Sequence, residues 1–202
     1  MNFTWGILTI APAGRMMDGG KGGTYMDTKK FLIVVDMQKD FIDGSLGTPE
    51  AQRIVPAVCE RIENAQRDGE TVIATLDTHG EDYMATREGR FLPVTHCVKG
   101  TEGWRLHGEV DRALGGCPRL EKPTFGSVEL PGIIESLSGG AHMEIELLGL
   151  CTDICVVSNA LLLKAHFPEA DIRVRASLCA GVTPEKHLAA LETMRSCQIE
   201  VL

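Results

Sequence analysis

Six short segments, most of them carrying apolar residues on successive or alternate positions, set the pattern of this chain. They are "FLIVVD" (31–36), "TVIATLD" (71–77), "RLEK" (119–122), "MEIELLGL" (143–150), "DIRVRAS" (171–177) and "QIEVL" (198–202), and each predicts a strand. The first is apolar on successive positions, as a strand covered on both faces is. Helices fit between them. In "TPEAQRIVPAVCERIENAQRDGE", Thr48 is placed to cap, Pro49 suits the first helical position, Gly69 stops the helix and Pro56 predicts a bend. "SVELPGIIESL" carries Pro131 early, and "TPEKHLAALETMRSC" repeats the cap-then-proline start with Thr183 and Pro184. "TDICVVSNALLLKAHF" is apolar nearly all round, which predicts a buried helix. The segment 78–116 is irregular, with a short helix near 104–114.

Strands alternating with helices require right-handed crossovers. The expected fold class is α/β: a single three-layer α/β/α domain over residues 26–202, with a six-stranded, mostly parallel sheet. Residues 1–25 break the pattern with a short apolar patch followed by glycines and methionines. They are expected to form a disordered extension, with Met26 as an alternative start.

Composition narrows the function. A chain of 202 residues with a net charge of −8 and no basic run argues against nucleic acid or an anionic membrane as partner. No apolar run approaches the ~20 residues that span a bilayer. Seven cysteines without paired CxxC spacing predict reduced thiols and a cytoplasmic protein.

In a parallel α/β sheet, ligands bind beyond the carboxyl ends of the strands. Asp36 ends the first predicted strand, Asp77 the second and Lys122 the third, and Cys155 follows the fourth. Taking Thr152 or Asp153 as the helix cap puts Cys155 in the first helical turn, where free N–H groups favour a thiolate. A lowered thiol pKa follows from that placement, and Cys155 is a better nucleophile candidate than Cys151. Spacing alone leaves open that both are buried thiols of the core, that Asp36 is a turn residue, and that Lys122 is an ordinary exposed lysine. Asp77, His79 and His96, with Glu88 between the histidines, offer a nitrogen and oxygen donor set suited to one divalent transition metal: zinc, manganese or iron.

Taken together, "FLIVVDMQKDF", "DTHGEDY", "LPVTHCVKGTEGW", "EKPTFGS" and "GLCTDICVVSNAL" resemble the isochorismatase-like cysteine hydrolases, and among them the nicotinamidases. The resemblance implies a catalytic trio of Asp36 as base, Lys122, and Cys155 as nucleophile. It implies a cis peptide between Leu150 and Cys151, and an oxyanion hole from the backbone N–H groups of Cys151 and Cys155. It also implies metal ligands at Asp77, His79 and His96, and a substrate pocket including Phe41, Leu92 and Phe125. The expected activity is hydrolysis of a small amide through a thioester, with nicotinamide as the leading substrate, by a homo-oligomer. Three positions depart from the nicotinamidase pattern. Leu92 stands near a tryptophan's place, with one residue more before His96. Phe125 replaces a tyrosine, and Lys99 replaces a glutamine. Another amide or a carbamoyl compound is the alternative substrate. A non-enzymatic ligand-binding member is the alternative of another class.

Overall fold

The computed structural model describes residues 28–202; the expectation for residues 1–25 lies outside them. Six strands, β1 (Thr28–Val35), β2 (Thr71–Asp77), β3 (Arg119–Lys122), β4 (His142–Leu150), β5 (Asp171–Ala180) and β6 (Glu200–Val201), form one sheet in the order β3-β2-β1-β4-β5-β6. Every pairing is parallel. Phe31 to Val35 and Ile145 to Leu150 are buried, so the central strands are covered on both faces.

The helices are α1 (Lys39–Ile42), α2 (Pro49–Arg67), α3 (Arg87–Phe91), α4 (Gly108–Leu114), α5 (Leu130–Ser138), α6 (Val157–His166) and α7 (Pro184–Ser196). α2 lies against β2, β4 and β5 with α4 beside it; α6 packs on β5 with α5 and α7 as neighbours. Thr48 and Thr183 cap α2 and α7 as expected, accepting the N–H groups of Ala51 and Lys186. No helix among the described residues is long and apolar enough to cross a membrane.

The strand order reverses between β1 and β4, the switch point at which open α/β sheets form their crevice. The two strands come very close there. Gly149 has φ +116°, and a Cβ on it would sit 2.2 Å from the Val35 carbonyl oxygen. At the opposite end of the sheet, Glu146 on β4 accepts from Arg61 at 3.1 Å and from Arg175 at 2.7 Å, and Arg61 also reaches Glu70 at 2.8 Å.

Two sequence expectations need correction. The helix expected over 152–167 begins as a π-helical turn (Thr152–Val156) before α6, and it is not buried all round: Leu162 is exposed. The irregular segment 78–116 holds a 3-10 turn (Tyr83–Ala85) and α3 as well as α4, and both are too short for periodicity to reveal.

Candidate active site

β1, β2, β3 and β4 bring Asp36, Asp77, Lys122 and Cys155 to one edge, and all four are buried. Asp36 leaves β1 with φ +47°, a left-handed backbone uncommon outside glycine. Its N–H still bonds the Thr75 carbonyl at 3.2 Å, and the Thr75 hydroxyl donates to Oδ1 at 2.6 Å. Lys122 Nζ lies 2.6 Å from Asp36 Oδ2, 3.3 Å from Asp77 Oδ1 and 3.4 Å from Cys155 Sγ. Asp36 and Cys155 thus share the buried ammonium of Lys122.

Charge and burial oppose each other here. Burial pushes the Asp36 carboxyl up, and Asp77 adds to that, while Lys122 pulls it down; the net direction is up. Lys122 loses hydration on burial, yet Asp36, Cys155 and Asp77 hold it well above the ordinary lysine range, so it stays an ammonium. Burial, then Asp36, push the Cys155 thiol well up. The lowered thiol pKa expected from a helix start is therefore overturned: desolvation outweighs the turn's N–H groups, and Cys155 rests as a neutral thiol.

The expected cap is also corrected. Cys151 occupies the N-cap position without a side-chain bond, and the Leu150–Cys151 peptide is cis, as the resemblance implied. The Cys151 carbonyl accepts from Ile154 and Val156, both at 3.1 Å, and leaves the Cys155 N–H between them out of that pair. Asn159 supports the turn from below. Its amide donates to the Cys155 carbonyl at 2.8 Å, and its oxygen accepts the Ser127 N–H at 2.9 Å.

Beside Lys122, Asp77 faces a nitrogen-rich cluster. Asp77 Oδ2 lies 3.0 Å from His79 Nε2 and 3.6 Å from His96 Nε2. Glu88 Oε1 lies 3.6 Å and 3.9 Å from the same two nitrogens. One donor atom from each of the four residues lies within 4.8 Å of the others. His96 Nδ1 is held at 2.8 Å from the Val94 carbonyl, which fixes its proton there and leaves Nε2 free to ligate. His79 Nε2 is buried and lacks a hydrogen-bond partner among the described residues. A donor set of two imidazoles and two carboxylates, buried except for a half-buried Glu88 and with one orphaned nitrogen, fits a divalent metal. Burial works against the Asp77 charge, but His79, His96 and Lys122 hold its carboxyl well below the usual range.

Sequence reasoning missed the residues that steady this cluster. Gln38 donates to the Asp77 carbonyl at 2.8 Å and accepts the Asp77 N–H at 2.8 Å. The Tyr83 ring packs 4.7 Å from His79 and 4.9 Å from His96, and its hydroxyl donates to the Leu92 carbonyl at 2.9 Å. Asp40 accepts the Cys97 N–H at 2.8 Å, next to His96. "DMQKDF" held two of these signals, a glutamine and an acid flanking the strand end.

A cavity of about 300 Å³ opens onto Cys155, Asp77, Glu88 and His96. Phe41, Leu92 and Phe125 line it as expected: Phe41 is buried with its ring 5.5 Å from that of His96, while Phe125 stands half-exposed at the mouth. Phe91, Ile154, Val182 and Lys186 line it too and carried no sequence signal. Lys99 pairs with Glu121 at the surface, 2.6 Å away, and does not line the cavity.

The Isochorismatase domain family matches residues 30–202. The nicotinamidase/pyrazinamidase of Mycobacterium tuberculosis is 30% identical over 183 residues, covering 85% of this chain and 97% of that protein. The crystal structure of Pyrococcus horikoshii pyrazinamidase in complex with zinc superposes with a TM-score of 0.72 at 28% identity, over 86% of this chain and 98% of that one. N-carbamoylsarcosine amidase from Thermoplasma acidophilum superposes with a TM-score of 0.70 at 29% identity, over 86% and 95%. The fold, the strand-end constellation and the match over residues 30–202 lead to one conclusion: the chain belongs to the isochorismatase family.

Proposed function

We propose that this protein is a cysteine amidohydrolase that converts nicotinamide to nicotinate and ammonia. The observation that carries the reading is the buried contact of Lys122 with Asp36, Cys155 and Asp77 together. It joins a thiol, a base and a donor cluster at the floor of one cavity. A core lysine kept only for packing has no need of three such partners.

The resting Cys155 is a thiol, so its proton must leave as it attacks. Asp36 is the acceptor within reach, and its raised pKa makes it a stronger base than an ordinary aspartate. Cys155 Sγ bonds to the amide carbon and the thiol proton moves to the Asp36 carboxylate. The carbonyl oxygen takes the negative charge, facing the backbone N–H groups of Cys151 and Cys155. The C–N bond then breaks, Asp36 returns the proton to nitrogen, and ammonia leaves a thioester. A water attacks the thioester and gives its proton to Asp36. The C–S bond breaks, the acid departs, and the proton returns to Cys155. Lys122, held as an ammonium, keeps Asp36 in place and offsets the charge that builds beside it.

Asp77, His79, Glu88 and His96 would hold one divalent ion: zinc, manganese or iron. What such an ion supplies when bound is a Lewis-acid point for a lone pair of the substrate, such as a ring nitrogen. Phe41, Leu92 and Phe125 would clasp the flat ring. On the same reading the enzyme works as a homo-oligomer in the cytoplasm; the charge of −8 supports the absence of nucleic-acid and membrane partners. A second reading, hydrolysis of a carbamoyl compound, is favoured by Leu92 in an aromatic's place and by the likeness to N-carbamoylsarcosine amidase. Ammonia release measured over a panel of small amides and carbamoyl compounds tests both. Turnover of nicotinamide ahead of the others is expected. Release from carbamoyl compounds alone would replace the first reading with the second.

A further inference from the structure

The turn that carries Cys155 is tied to α7 and to the link that precedes it by two hydrogen bonds that no step above uses. Thr152 is fully buried, and its Oγ1 lies 2.8 Å from His187 Nδ1 on α7. Asp153 Oδ1 accepts the Val182 N–H at 2.9 Å. Threonine and aspartate at a helix start ordinarily fold back on their own free N–H groups. Here neither does, and the turn has no side-chain cap. Thr152 reaches across to α7, and Asp153 to the link between β5 and α7. Gly181 permits that approach: a Cβ on it would meet Asp153 Oδ1 at 2.8 Å and His187 Cβ and N at 2.9 Å. α7 is a firm base, because Thr183 caps it and Pro184 opens it. His187 is half-buried on α7 and one hydrogen bond from the turn.

We propose that His187 is a positioning residue that acts through Thr152, holding the Cys151–Cys155 turn so that Cys155 Sγ stays aligned with Asp36 and the amide carbon. The inference rests on Cys155 being the nucleophile. The neutral imidazole accepts the Thr152 hydroxyl proton at Nδ1. Burial holds the His187 imidazole below its ordinary pKa, which keeps it neutral. Without the imidazole, the Thr152 hydroxyl is left buried and unpaired, and the turn relaxes to satisfy it. A small displacement of a nucleophile lowers turnover without loosening the grip on substrate.

The test compares His187→Asn, His187→Gln, His187→Ala, Thr152→Ser and Thr152→Val. Asparagine places a polar atom where Nδ1 stands; glutamine places one where Nε2 stands. Three quantities are measured on each: kcat and KM for nicotinamide, the rate of Cys155 alkylation by iodoacetamide followed by mass spectrometry, and the melting temperature. His187→Ala and His187→Gln should lower kcat about tenfold with KM nearly unchanged. Both should slow Cys155 alkylation, and His187→Asn should restore most of each rate at a similar melting temperature. Should His187→Ala fail to fold, Thr152→Ser retaining activity while Thr152→Val loses it carries the same conclusion. Equal impairment of His187→Asn and His187→Ala, full activity in His187→Ala, or a kcat loss that tracks melting temperature would overturn the proposal. If the unaltered protein leaves nicotinamide untouched while the alkylation pattern holds, the substrate reading fails and the positioning role stands.

Discussion

Lys122 Nζ touches Asp77 Oδ1 at 3.3 Å, so the ammonium that pairs with Asp36 also borders the histidine cluster. One buried cation therefore serves two neighbourhoods with opposite needs. It offsets the charge of the base, and it repels any cation bound at Asp77. Lys122→Met is expected to separate these effects. Ammonia release should fall by about 10³-fold, the scale of losing one electrostatic stabiliser. Metal affinity, read by titration with zinc, should stay the same or rise. A variant that loses its metal along with its activity would contradict this division.

The two cysteines of the turn should behave differently. Cys155→Ala is expected to abolish ammonia release, since Cys155 is the thiol that meets the Lys122 ammonium shared with Asp36. Cys151→Ala should retain a good part of the activity, because its proposed contribution is a backbone N–H. Burial, then Asp153, hold the Cys151 thiol up at about 12, and burial raises Cys155 as well; what separates them is that Cys155 Sγ meets the Lys122 ammonium at 3.4 Å. Initial rates of the two purified variants decide the matter, and the reverse order would sink the assignment.

His79→Ala should release the metal. His79 Nε2 is buried with no hydrogen-bond partner among the described residues, so its lone pair is available to an ion. Elemental analysis should find about one transition metal per unaltered chain and far less in the variant. Full activity in chelator-treated, metal-free protein would remove the ion from the reaction.

Acid stability should depend on Glu146. Burial disfavours its charge, but hydrogen bonds from Arg175 and Arg61 outweigh that and hold the carboxyl below its ordinary 4.5. The unfolded chain therefore binds a proton at Glu146 at higher pH than the folded one does. The stabilisation is fully present above about pH 4.5 and fades as pH falls through the lower folded value. Glu146→Gln should cost ~2 kcal/mol near neutrality, leaving Arg61 and Arg175 short of an acceptor, and should flatten the decline below pH 4.5. Urea midpoints at several pH values measure both. An unchanged acid slope would contradict the assignment.

Much of the site was legible in the sequence because it sits where strands end. Asp36 and Asp77 close apolar runs whose burial is itself a sequence property, and Lys122 ends the short strand β3 beside them. Thr48 and Thr183 signalled their caps correctly because solvent and their own N–H groups were the only competitors. Thr152 and Asp153 misled, because α7 and the link before it supplied better partners from more than 25 residues away in the chain. The direction of the Cys155 pKa was misread for a related reason. A helix start is visible locally, whereas the depth at which it is buried belongs to the whole sheet. Phe91, Tyr83 and Lys186 stayed hidden because the segments carrying them join the cavity only through tertiary packing.

The reversal of strand order between β1 and β4 has a kinetic consequence. Asp36 and Cys155 come from neighbouring strands of the sheet that are far apart in the chain, with β2, β3 and more than a hundred residues threaded between them. No fragment ending before β4 contains both, and no local hairpin brings them together. Contacts of such long sequence separation form slowly. In a refolding experiment, ammonia release should thus return with the closing of the central sheet and lag behind the recovery of helical signal. Enzymatic activity becomes a clock for the slowest pairing in the fold.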